Sequence, residues 1–79
     1  MFPGFRELAA ERRALTGALV SRRVELGLSQ TEVAARMGTS QSAVARIESG
    51  DADIRLSTLE RYAAAIGQRL DWRLEERGR

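Results

Sequence analysis

The chain has 79 residues, 43% of them apolar and 30% charged, with one proline and no cysteine. A chain this short supports one hydrophobic core and buries only about 60% of the surface it exposes when unfolded, so a second copy that adds buried area would help to stabilise it. The composition excludes a mostly disordered chain, a disulfide framework and a thiolate metal site. Histidine is absent as well, so no acid–base or nucleophilic set suggests itself, and neither an enzyme nor a cofactor is expected. No apolar run reaches the roughly 18 residues that span a bilayer, and "MFPGFRELAAERR" at the start lacks the apolar segment of a secretory signal. A cytoplasmic chain with no membrane partner is expected. The net charge is +2, and all 13 basic residues are arginine. That usage fits a GC-rich coding bias, and it equally fits a surface that meets phosphates or guanines, for which a planar bidentate donor is better suited than lysine.

From Phe5 to Leu26 breakers are few, and Leu8, Leu15, Leu19 and Leu26 recur at helical spacing, which predicts a long first helix. Gly17, after Thr16, weakens its middle by about 1 kcal/mol relative to alanine and could bend or divide it. Gly27 stops it. In "SQTE" the Ser29 hydroxyl can cap a second helix and Glu32 can reach back to complete a capping box, carrying the helix to Met37. After "GTS", Ser40 is the natural N-cap of a third helix that runs to about Glu48 and is closed by Ser49 and Gly50. "STLE", from Ser57 to Glu60, repeats the capping-box pattern and opens a fourth helix through "RYAAAI" to Gly67. In the tail "RLDWRLEE", Leu70, Trp72 and Leu74 alternate with Asp71, Arg73 and Glu75 in the period of a strand, with a fifth helix capped by Asp71 as the alternative. A lone strand must pair. The same strand from a second copy, antiparallel about a two-fold axis, is the simplest partner and would bury Trp72.

Two short helices separated by "GTS" form the arrangement called a helix-turn-helix. On a wheel, the third helix puts Val44 and Ile47 on one face and Gln41, Ser42, Ala45, Arg46 and Ser49 on the other. The outer face lacks the opposite-charge pairs at spacing four that ordinarily support a solvated helix. Small Ser42 and Ala45 permit close approach to a surface, while Gln41 and Arg46 can each make two parallel hydrogen bonds to a base edge. Reading the major groove of double-stranded DNA requires these properties.

The text "RRVELGLSQTEVAARMGTSQSAVARIESG" resembles the phage-repressor and Cro type of helix-turn-helix domain, the XRE-like family, and the resemblance extends from about Ser21 to Gly67. It implies a mainly α fold: a compact four-to-five-helix repressor-like domain, here with a C-terminal β-strand pairing across a dimer. The expected division is a 1–20 N-terminal helical extension, a 21–67 core and a 68–79 tail that dimerises through Leu70, Trp72 and Leu74. By the same resemblance Gln30 donates to a DNA phosphate, Gln41 and Ser42 read bases with Arg46 one turn on and Ala45 beside them, and Ser49 contacts the backbone. Ser40 serves as a cap first and a phosphate contact second. Arg23 pairs with Glu48 and ties the first helix to the third.

One departure matters. Relatives often carry a basic residue soon after the closing glycine, whereas this chain has Asp51 and Asp53, which leaves Arg55 as the phosphate donor of that loop. Affinity is then expected to be modest and salt-dependent, and a dimer would double the contacts. "LSTLERYAAAIGQRLDWRLE" is also similar to the C-terminal part of antitoxin-like regulators, in which a strand joins two subunits. The expected function is a homodimeric, sequence-specific DNA-binding regulator that represses its own promoter at a palindromic site. The alternative is an antitoxin that binds a toxin protein and co-represses its operon.

Overall fold

A computed structural model of the chain describes residues 5–50, 53–71 and 76, with side chains from residue 8 onward. Four helices follow one another, α1 (Phe5–Glu25), α2 (Gln30–Met37), α3 (Gln41–Ser49) and α4 (Leu56–Ala65), and no strand is present among the described residues. None of these helices is long and apolar enough to cross a membrane. The α1 helix is not divided at Gly17. Thr16 is buried and its hydroxyl donates to the Arg12 carbonyl at 3.0 Å, so the polar group at the weak point is satisfied within the helix. The four leucines at helical spacing do not form one buried stripe. Leu19 is buried and Leu15 packs at the margin of the core, but Leu8 and Leu26 are exposed, lying toward the two ends of α1.

The core joins Leu19 of α1, Val33, Ala34 and Met37 of α2, Val44 and Ile47 of α3, and Leu59, Tyr62 and Ala63 of α4, with Ile66 just beyond. Val33, Val44 and Tyr62 are its largest fully buried side chains. Burying an aliphatic side chain contributes about 1.5–3 kcal/mol, so Val44 and Ile47 together fix which face of α3 turns outward. The wheel drawn from sequence and the packed helix agree on those two residues.

The helix ends are closed by backbone and by arginine. At the α2–α3 turn Gly38 has φ +72°, and the following Thr39 N–H returns to the Ala34 carbonyl at 2.9 Å. Only a residue without Cβ adopts that conformation cheaply. Arg61 of α4 then donates to the Met37 carbonyl at 2.6 Å, and Arg36 of α2 donates to the Ala65 carbonyl at 2.9 Å. The two helices thus place a cation on each other's C-terminal carbonyls, where the helix dipole favours it.

The capping box expected at Ser57–Glu60 does not form. The α4 helix begins at Leu56 with Arg55 as N-cap and no side-chain cap; the Thr58 and Leu59 N–H groups reach the Arg55 carbonyl at 3.0 and 3.1 Å. Ser57 therefore lies inside the first turn. The helix starts earlier than its serine suggests because packing, with Leu59, Tyr62 and Ala63 on the core side, sets its course, and a surface cap is worth only about 1 kcal/mol. Residues 68–71 are irregular, and Leu70 is half-buried against the core of the same chain. The strand-or-helix expectation for the tail, with Trp72 and Leu74, lies outside the described residues, as does Asp51.

Replacing Gly38 by alanine should cost about 1–2 kcal/mol from backbone strain alone, because nothing lies within 4 Å of the added Cβ. Urea unfolding measures it, and an unchanged midpoint would contradict this reading of the turn.

Candidate nucleic-acid interface

The outward face of α3 is held at its N-terminal end by two neighbouring caps. Ser29 and Glu32 complete a reciprocal capping box at the start of α2: the Glu32 N–H donates to Ser29 Oγ at 3.0 Å, and the Ser29 N–H donates to Glu32 Oε1 at 2.9 Å. The backbone hydrogen bond from Ser29, joined by the one to its side chain, holds the Glu32 carboxyl below the usual carboxylate range. At α3, Ser40 Oγ accepts from the Ala43 N–H at 3.1 Å and lies 3.1 Å from Ser42 Oγ. No acidic residue occupies the first turn of α3, so its unpaired N–H groups present positive potential toward an anion.

Beneath this face lies a polar network centred on one carboxylate. Arg23 of α1 grips Glu48 of α3 with two parallel bonds, Nε to Oε2 at 2.6 Å and Nη2 to Oε1 at 3.0 Å, while its Nη1 donates to the Leu28 carbonyl at 2.7 Å. The Tyr62 hydroxyl of α4 donates to Glu48 Oε2 at 2.5 Å, and Gln30 Nε2 of α2 donates to Glu48 Oε1 at 2.8 Å. All four helices therefore meet at Glu48, whose side chain is 8% exposed. Burial pushes its carboxyl upward, yet the hydrogen bonds from Arg23, Tyr62 and Gln30 outweigh that and hold it below the ordinary value. The same contacts raise the Arg23 guanidinium, led by its hydrogen bond to Glu48. Burial first, and the bond to Glu48 second, push the Tyr62 phenol far above its usual range. Removing one partner of such a buried pair strands the other and costs about 3–5 kcal/mol.

The network continues to the surface. Gln41 Nε2, at the first position of α3, donates to Gln30 Oε1 at 2.5 Å. Gln41, Ser42 and Arg46 are exposed and Ala45 is half-buried; the Arg46 guanidinium has no partner among the described residues. Ser49 is exposed and its hydroxyl donates to the Arg46 carbonyl at 2.7 Å. Arg55 lies across an open groove of about 450 Å³ that also exposes Thr39, Arg46, Thr58 and Arg61. The residues singled out from sequence thus fall into two groups: Gln30, Ser40, Gln41 and Ser42 at one end of α3, and Arg46 and Arg55 along its flank. Asp53 does not stand alone in the loop, because Arg12 Nη1 lies 3.3 Å from its Oδ1. With Asp53 almost fully exposed, the pair adds little to stability.

Sequence reasoning missed Tyr62, Arg61 and Thr58. A single tyrosine within an alanine run was a usable signal, since a phenol on an apolar helix face has to find an acceptor. The placement of Arg61 and Thr58 beside α3 had no local signal, because it depends on how α4 crosses the turn.

Two short helices, a left-handed glycine turn and an outward face of small polar groups define a DNA-binding helix-turn-helix domain. A model of the helix-turn-helix family matches residues 19–73, and the chain belongs to that family, of XRE-like type, whose members are non-enzymatic DNA-binding proteins. Among curated proteins it is similar to antitoxin HigA1 of Mycobacterium tuberculosis, 47% identical over 74 residues, an alignment that covers 94% of this chain and 50% of that protein. It is also similar to an uncharacterized HTH-type transcriptional regulator of Haemophilus influenzae, 37% identical over 59 residues, covering 75% of this chain and 60% of that one. Putative antitoxin HigA3 of Mycobacterium tuberculosis is 50% identical over 42 residues, or 52% of this chain and 38% of its own. The chain spans about half the length of HigA1. No solved structure matches it at comparable stringency.

The Glu48 carboxyl, depressed in the folded state, fixes the sign of an acid response. On acidification the unfolded chain takes up the proton first, so this contribution is complete above the ordinary carboxylate value of about 4.3 and is lost as pH falls from there through the folded value. The urea midpoint should drop across that window, and Glu48→Gln should show a shallower drop from a lower plateau. Parallel acid profiles for the two proteins would contradict the assignment. Tyr62 acts oppositely: its raised value means that stability declines as pH rises above about 10, where the unfolded phenol ionises first.

Proposed function

We propose that the protein is a sequence-specific transcriptional regulator that binds double-stranded DNA in the major groove. The observation that carries this reading is the outer face of α3: Gln41, Ser42 and Arg46 exposed with Ala45 between them, on a helix anchored from behind by Val44 and Ile47. Gln41, Ser42, Ala45 and Arg46 meet base edges, while Gln30, Ser40, Ser49 and Arg55 meet phosphates. Two copies dimerise through the tail, with Leu70, Trp72 and Leu74 at the interface, and bind a palindromic operator whose half-sites lie about 34–36 Å apart or a multiple of that distance. The protein works in the cytoplasm and represses its own promoter.

Similarity to antitoxin HigA1 over nearly the whole chain favours a second role equally: the protein binds a toxin and co-represses the operon that encodes both. The two roles are compatible, and a partner discriminates them. A standalone regulator purifies alone and binds its site alone, whereas an antitoxin forms a complex with its co-expressed neighbour.

Selection of bound duplexes from a random pool at near-physiological salt should enrich one palindrome; a pool left without one sinks the specific-reader claim. On the enriched duplex, Arg46→Ala should relax preference at one base position by about 1–3 kcal/mol, whereas Arg55→Ala should weaken all sequences alike and lower the salt slope by about 1. Equal losses on every sequence for both variants would show that the roles are misassigned.

A further inference from the structure

We propose that Arg12 of α1 bridges Asp53 and a DNA phosphate, and so supplies, from outside the α3–α4 loop, a cation to stand beside Arg55. This rests on the DNA-reading function proposed above. Asp53 lines the groove that also exposes Arg46, Arg55 and Arg61, so a carboxylate sits within the flank offered to the DNA backbone. Left unpaired it would repel phosphate. Arg12 reaches it from α1: Nη1 lies 3.3 Å from Asp53 Oδ1, with the Arg12 side chain 40% exposed and that of Asp53 92%. The first half of α1 lies along the end of α3 as well, since a Cβ added at Gly50 would meet Arg13 Cγ at 3.6 Å. Arg12 precedes residues 19–73, which the family model matches, so this cation comes from outside the matched domain.

A guanidinium can serve two anions at once. It carries five N–H donors in a rigid fork, whereas an ammonium is a point charge on a flexible stem. The stem of Arg12 shares a hollow with Leu15, Ile54 and Leu59, and its Nε is buried without a partner among the described residues, so the head reaches solvent through its two Nη ends. Nη1 gives one bond to Asp53, and Nη2 has no partner among the described residues. A phosphate oxygen fits that open end, because a charged donor and a charged acceptor make the stronger kind of hydrogen bond. With Arg12 in place the charge of Asp53 is offset. Without it the same carboxylate faces the DNA alone.

The test is an equilibrium titration of the full chain with the selected duplex and with an unrelated one, at about 50 and about 200 mM salt. Arg12→Met keeps the stem and removes the charge. Its affinity for both duplexes should fall together, and its salt slope should be smaller by about 1, so that over this range wild-type affinity drops about 3- to 4-fold more than the variant's. Arg12→Lys, which keeps the charge, should keep the wild-type slope. Base preference at the Arg46 position should not change, and thermal unfolding should show both variants folded; should Arg12→Met fail to fold, Arg12→Gln carries the comparison. Asp53 gives a second readout. In the Arg12→Met background Asp53→Asn should raise affinity by about 1.5- to 5-fold, and in the wild type by less, because there Arg12 already offsets the carboxylate. An unchanged slope in Arg12→Met, a slope that Arg12→Lys lowers as much, or an equal gain from Asp53→Asn in both backgrounds overturns the bridge while leaving the DNA-reading function intact. Failure of the wild type to enrich any duplex overturns that function, and this inference with it.

Discussion

The Glu48 carboxylate is the point on which the rest of the structure depends. It takes bonds from Arg23 of α1, Gln30 of α2 and Tyr62 of α4 while belonging to α3 itself. Burying an unpaired carboxylate costs several kcal/mol, so a chain of this size tolerates one only when each lone pair is occupied. Satisfying it requires all four helices in one arrangement. The apolar core of Val33, Val44, Tyr62 and their neighbours supplies the driving force, since hydrophobic burial is non-directional, and the carboxylate supplies the geometry that the core alone does not specify.

The same group connects stability with the surface. Gln30 takes part in the buried network through Nε2 and supports Gln41 through Oε1, so the first residue of α3 is held from below by a hydrogen-bonded path and not only by the Ser40 cap. Arg46, by contrast, projects from the flank with no partner among the described residues. The two ends of the face therefore differ in kind. One is preorganised, and ordering it on a partner costs little; the other keeps its rotamer freedom until something engages it. The cross-capping of α2 and α4 by Arg36 and Arg61 further stiffens the scaffold, and Arg61 also lines the groove beside α3, where it adds positive potential.

Much of this was legible in the sequence where the cause is local. The Ser29–Glu32 box, the Ser40 cap and the closing glycines are decided within five or six residues of chain, and the period of Val44 and Ile47 gave the buried side of α3. The pairing of Arg23 with Glu48 was reached through family resemblance, not from spacing, and the structure puts the two in contact. Where the decision is tertiary, local reading failed. "STLE" has the letters of a capping box, yet α4 starts before it, with Arg55 at the cap. Four leucines at helical spacing suggested one stripe along α1, but only Leu19 is buried, with Leu15 at the core's margin. Tyr62 had no sequence neighbour to announce its partner, because Glu48 lies a helix and a loop away.

The central claim is that α3 reads base edges in the major groove. The most direct measurement is an equilibrium titration of the protein with its selected duplex and with the same duplex carrying 7-deazapurines, which lack the N7 acceptor but leave pairing, charge and the minor groove unchanged. The account predicts binding weakened by about 5- to 150-fold when the purine facing Gln41 or Arg46 is replaced, and unaffected by replacement outside the site. Equal affinity for the two duplexes would contradict it.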